Sequence, residues 1–226
     1  MSNKNKLARF AEMDTFPNVF QNTSFETPAA KNYKGETQLL SGNWARHFNN
    51  QNPITLELAC GKGDYTRGLA GDFAQRNFIG IDIKGNRMWV GAKEALDKNM
   101  QNVAFLRTQI EHLDHFFAPK EVSEIWITFP DPQLGKPKKR LTSPRYLDLY
   151  KKVVADTHFM HLKTDSPELY EYTLETLNEL KLPILYQNDD IYARELDFPE
   201  LRHHTFYEQM HLENKKTIKY IRWQLF

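Results

Sequence analysis

Five short strand-like runs, spaced by segments of helical length, constrain the fold of this chain more than any other feature. Ile54 to Leu58, Phe78 to Ile83, Val103 to Leu106, Ile125 to Phe129 and His158 to Lys163 read as strands. Asp64 to Phe73 and Arg87 to Met100 read as helices, the second with Met88, Ala92, Ala95 and Leu96 near one face. Strands alternating with helices in this way predict an α/β, Rossmann-like chain with a doubly wound, mostly parallel sheet. Another helix is expected after the fifth run, where Ser166 offers an N-cap and Pro167 the favoured first helical residue. Thr205 to Leu212 and Thr217 to Leu225 are expected to close the fold as a C-terminal antiparallel hairpin, turning at Glu213-Asn214-Lys215-Lys216.

A chain of 226 residues fits one domain, expected over 36–226. Residues 1 to about 35 are polar, with Lys4, Lys6, Arg9, Lys31 and Lys34 among Asn, Thr and Pro, and read as a basic, loosely packed N-terminal arm. A short helix is expected from Lys34 to His47. The formal net charge of +1 confines any nucleic-acid surface to a local patch. A single cysteine, Cys60, excludes an internal disulfide and reads as a small buried packing residue. With no leader and no apolar run of membrane-spanning length, a cytoplasmic protein is expected, as monomer or homodimer. His203 and His204 have no Cys or His partners at ligand spacing, so no metal is expected.

The first strand carries Glu57 and runs into Gly61-Lys62-Gly63. Glycines there let backbone approach a ligand beside a helix N-terminus. Asp82 closes the second strand about twenty positions beyond them, where an acid accepts hydrogen bonds from both ribose hydroxyls. A dinucleotide site would require a third glycine at position 66, which is Thr66. A nucleoside cofactor without a pyrophosphate has no such need, and S-adenosyl-L-methionine meets the description, with Glu57 near its ammonium.

The fourth run ends in Pro130-Asp131-Pro132. Proline fixes its own φ and pushes the preceding residue toward extended backbone, so the two prolines are expected to hold Asp131 in one direction. Open parallel sheets bind ligands outside the carboxyl ends of their strands, where Asp131 falls. Lys136, Lys138, Lys139 and Arg140 follow, a surface suited to phosphate. Elsewhere such a charge run is a solvated loop; beside Asp131 it points to RNA. Asp165 ends the neighbouring strand and reads either as a helix-capping acid or as a substrate contact.

Leu56-Glu57-Leu58-Ala59-Cys60-Gly61-Lys62-Gly63 with Gly80-Ile81-Asp82 resembles the first two motifs of class I methyltransferases. Phe129-Pro130-Asp131-Pro132, then Thr164-Asp165 before a helix with Tyr170 and Glu171, then Thr205-Phe206-Tyr207-Glu208, resembles the bacterial tRNA (guanine-N7)-methyltransferases. The similarity runs from about residue 54 to 212. It implies methyl transfer from S-adenosyl-L-methionine to N7 of a guanine in the tRNA variable loop. It further implies cofactor contacts at Glu57, Gly61, Gly63, Asp82 and Gln109, a catalytic role for Asp131, and substrate contacts at Lys136, Asp165, Thr205 and Glu208. The chain departs from the family at Ala59, usually Gly, at Gln109, usually an acid facing the adenine, at Gln133, usually Trp, and in a shorter basic segment. Two other readings fit the same residues: a class I methyltransferase acting on a small molecule or protein, and a non-catalytic RNA-binding protein on this fold.

Overall fold

The structure, a computed structural model, describes residues 3–226, with side chains from residue 7 onward. In chain order its elements are α1 (Asn3–Met13), β1 (Val19–Gln21), β2 (Ala30–Lys31), β3 (Thr37–Gln38), α2 (Trp44–Phe48), β4 (Ile54–Leu58), α3 (Asp64–Asp72), β5 (Asn77–Asp82), α4 (Gly85–Asp97), β6 (Val103–Arg107), α5 (Leu113–Phe116), β7 (Val122–Thr128), α6 (Pro144–Lys151), β8 (Val154–Thr164), α7 (Pro167–Glu179), β9 (Ile184–Asn188), α8 (Phe206–Glu213) and β10 (Lys219–Trp223). One sheet contains all the strands in the order β3-β2-β1-β6-β5-β4-β7-β8-β10-β9. From β1 to β8 across its centre the neighbours are parallel, and β10 lies antiparallel between β8 and β9. The order reverses at β4, whose neighbours are β5 and β7, so a crevice opens there at the carboxyl ends.

Alternation along the central strands feeds two cores. Leu56, Leu58, Ile79, Ile81, Ile125 and Ile127 pack on one face, and Phe78, Phe105, Trp126 and Tyr220 on the other. Phe105 is fully buried and serves the site directly. A Cβ at Gly63 would come within 2.6 Å of its ring and one at Gly80 within 2.8 Å. Gly91 meets the same ring, and its Cβ would also collide with the Lys62 carbonyl. Three backbone segments thus close on one aromatic ring, which sets the height of the glycine turn.

Three expectations are corrected. The N-terminal segment is not a loose arm over its described length: β1 pairs with β6, and Met13, Phe16, Val19, Phe20 and Ala30 are buried. Each of the Met, Phe and Val side chains contributes about 1.5–3 kcal/mol on burial, enough to dock a segment whose average composition is polar. The side chains of Lys4 and Lys6 lie outside the described residues, and Arg9 stacks over Trp89. The helix expected from Lys34 to His47 shrinks to α2, because Gly35 and Gly42 turn the chain at φ 75° and 73°. Thr205 to Leu212 is helical. Thr205 caps α8 by accepting a 3.0 Å hydrogen bond from the Glu208 N–H, so the Thr-x-x-Glu spacing there is a helix start. The antiparallel hairpin partner of β10 is β9, with Tyr220 opposite Asn188. Among the described residues no helix is long and apolar enough to cross a membrane.

Candidate functional site

A cleft of about 640 Å³ opens at the carboxyl ends of β4, β5, β6, β7 and β8, within the range usual for small-molecule sites. Glu57, Gly61, Asp82, Gln109, Asp131, Asp165 and Thr205 all line it, so residues far apart in sequence meet in one place. Gly63, Lys136 and Glu208 do not line it, and Gly63 instead turns toward the buried Phe105 ring.

Glu57 is buried at the floor of the cleft. One carboxylate oxygen accepts from the Thr66 N–H at 2.8 Å and from the Thr66 hydroxyl, and the other from the Thr128 hydroxyl at 2.7 Å. Burial pushes its carboxyl up to about 7, against the pull of the threonine hydrogen bonds. Thr66, the residue that excludes a dinucleotide turn, is therefore part of the site. Asp82 accepts from the Gly61 N–H at 2.9 Å and from the Lys84 N–H at 2.7 Å. It fixes the glycine turn to the start of α4 and keeps free lone pairs on both oxygens.

Gly61 and Gly63 adopt φ of 57° and 67°, the left-handed region that favours glycine, and Ala59 shares it at 56°. An L side chain there is strained. We expect Ala59→Gly to raise the unfolding free energy by about 0.5–1 kcal/mol, since the relief of left-handed strain exceeds the extra chain entropy of glycine. Urea unfolding curves check this; a lower midpoint would mean that the Ala59 methyl packs usefully.

Gln109 has its side-chain oxygen buried without a donor. That orphaned acceptor in the cleft wall fits the amino group of an adenine, and with the spare lone pairs of Asp82 it makes the cleft suited to an adenosyl group.

The Asp131 exit differs from expectation in one respect. Phe129, which precedes Pro130, is not extended but stands at φ 46°, and Gln133 at φ 47°. Tertiary contacts override the proline preference: the Phe129 N–H donates to the Lys163 carbonyl at 2.8 Å, and its ring stacks on His211. The Asp131 carboxylate is exposed and accepts from the Gln133 N–H at 3.0 Å. Arg140 is buried, donates to the Pro132 carbonyl at 2.9 Å and lies over Tyr172, so it braces this loop instead of facing solvent. Lys136, Lys138 and Lys139 are exposed.

Asp165 pairs with Lys216 at 2.6 Å and His211 at 3.3 Å and still lines the cleft. Glu208 is sealed away with no exposed side-chain surface, paired with Lys163 at 2.7 Å. Among residues that the sequence reading missed, Lys62 reaches over the Phe206 ring at 3.7 Å, joining the glycine turn to α8. Among the described residues no group of three or more His, Cys, Asp or Glu is arranged to hold a metal.

Comparison with known proteins agrees with this geometry. A family model described as a putative methyltransferase matches residues 51–221. A tRNA (guanine-N(7)-)-methyltransferase of Porphyromonas gingivalis is 52% identical over 218 residues, covering 94% of this chain and 86% of that protein. One of Christiangramia forsetii is 48% identical with all of both chains covered. Among solved structures, the 16S rRNA methyltransferase KamB aligns with a TM-score of 0.64 at 14% identity over 83% of this chain and 95% of its own. An antibiotic-related methyltransferase gives 0.61 at 16% identity over 83% and 94%. At such identities these structures share the fold.

Proposed function

From the premise that this chain belongs to the family of bacterial tRNA (guanine-N7)-methyltransferases, we propose that it transfers the methyl group of S-adenosyl-L-methionine to N7 of a guanine in the variable loop of tRNA. The observation that carries the reading is the convergence on one cleft of the glycine turn, the donorless Gln109 oxygen and the exposed Asp131 carboxylate. Bound S-adenosyl-L-methionine supplies a methyl group on a sulfonium, with its leaving group already in place. Asp82 would hold the ribose hydroxyls, Gln109 the adenine amino group and Glu57 the ammonium end, while Gly61 would admit backbone close to the ligand and Gly63, turned toward Phe105, would set the shape of the turn.

Guanine N7 is an unprotonated lone pair at neutral pH, so no strong base is required. Catalysis comes from alignment, and from the Asp131 charge facing the positive charge that appears on the purine. Asp165 and Thr205, which line the same cleft, would meet the base. The base leaves its stack to enter.

Glu57 gives the cofactor step a pH dependence. An ammonium beside it favours its charged form, so affinity for S-adenosylhomocysteine should rise about tenfold from about pH 6 to about pH 8 and then flatten. Calorimetry checks this. A profile without slope in wild type, or the same slope in Glu57→Gln, would remove Glu57 from the ammonium site, and no binding at all would sink the enzyme reading.

Contact with RNA is tested separately. Lys136, Lys138 and Lys139 replaced by Ala should weaken tRNA binding and lower the slope of log affinity against log salt by about 2, as fewer counterions are released. Cofactor affinity should not move. Arg140 stays in place because it braces the Asp131 loop. Wild-type tRNA affinity and slope in the variant would make the segment an ordinary solvated loop.

A further inference from the structure

Lys163 is an anomaly near the carboxyl end of β8: it has no exposed side-chain surface and its cation lies inside the protein. Its ammonium donates to Glu208 at 2.7 Å, to the Leu201 carbonyl at 2.9 Å and to the His203 carbonyl at 3.1 Å, which uses all three protons. The Tyr65 ring lies 5.3 Å away, and the Tyr192 hydroxyl donates to the same Glu208 oxygen at 2.6 Å. The second Glu208 oxygen has no protein donor. All three acceptors of Lys163 belong to one returning segment, 201–208, which ends on the first turn of α8.

A buried ion pair is a poor source of stability, because desolvation offsets most of the attraction and an apolar pair does nearly as well. What it provides is one docking geometry, since three donors must meet three fixed acceptors. Two residues beyond Lys163 is Asp165, and three before Glu208 is its capping partner Thr205. We propose that Lys163 and Glu208 are a positioning pair that locks α8 onto the exit of β8 and so sets the spacing of the Asp165 and Thr205 walls for the incoming base. Glu208 then acts through Lys163 and not by touching the substrate. The proposal rests on the tRNA reaction above.

The test measures turnover with saturating tRNA and cofactor, cofactor affinity and pH profiles for Glu208→Gln, Lys163→Met and the double variant Lys163→Met/Glu208→Leu. Loss of α8 position should lower turnover roughly tenfold to a hundredfold in each single variant, with cofactor affinity within about twofold of wild type. The double should be no worse than the worse single. In Glu208→Gln the unpaired ammonium loses its proton more readily, so turnover should climb as pH rises from neutral to alkaline, a rescue that direct substrate contact would not show. Should a single variant fail to fold, the double, with no unpaired charge left, decides. Wild-type turnover in the folded double or in Glu208→Gln would overturn the proposal, leaving a structural staple. Losses that add in the double, without alkaline gain, would overturn it in favour of substrate contact by Glu208. If wild type fails to methylate tRNA, the proposed function alone is refuted. Hydrogen exchange over 199–213, faster in the variants if the pair locks that segment, still reads the positioning.

Discussion

Asp131→Asn should turn over about a hundredfold more slowly than wild type in single-turnover experiments with saturating tRNA and cofactor. The substitution is well suited to the question. An asparagine oxygen can still accept the Gln133 N–H that Asp131 accepts at 3.0 Å, so the loop between Pro130 and Pro132 keeps its shape while the charge disappears. Binding of tRNA should change much less, because the positive charge on the purine arises only as the methyl group is transferred. With no proton to remove from N7, the wild-type rate should stay nearly flat from neutral to mildly alkaline pH. A rising limb would require a base that titrates there. An Asn variant at near wild-type rate would make Asp131 a structural acid whose work is the turn alone.

The second large effect is expected at Asp82. Asp82→Ala should weaken cofactor binding by about 2 kcal/mol or more, roughly thirtyfold, through loss of charge-assisted contacts to the ribose. The same carboxylate holds the Gly61 and Lys84 N–H groups, so Ala also releases the glycine turn from α4 and adds to the loss. Calorimetry with S-adenosylhomocysteine reads the result. An unchanged dissociation constant would remove Asp82 from the cofactor site.

The parts of this molecule that were legible in its sequence are those governed by local rules. The strands β4 to β7 are short runs with flanking breakers, and an acid or glycine at the end of a parallel strand must fall at the carboxyl edge, so Glu57, Gly61, Asp82 and Asp131 could be placed before any coordinates. Where tertiary contacts decide, the reading failed for physical reasons. Phe129 gives up the extended backbone that Pro130 favours because β8 and His211 hold it. Arg140 looks like one more cation in a basic run, yet a carbonyl and Tyr172 bury it. Glu208 has its partner forty-five positions upstream at Lys163, and no spacing rule joins them. The signals that were present and missed are the Thr205 N-cap three residues before Glu208, the lysine within the strand run His158 to Lys163, and the widely spaced apolar residues Met13, Phe16 and Val19 in a polar segment.

The most direct test of the proposed function is nucleoside mass spectrometry of unmodified tRNA incubated with the purified protein and S-adenosyl-L-methionine, with the Asp131→Asn variant run alongside. N7-methylguanosine should accumulate in the variable loop with wild type and roughly a hundredfold more slowly with the variant. Methylation at any other atom, or none by a protein that demonstrably binds the cofactor, would contradict the assignment of this cleft to guanine N7.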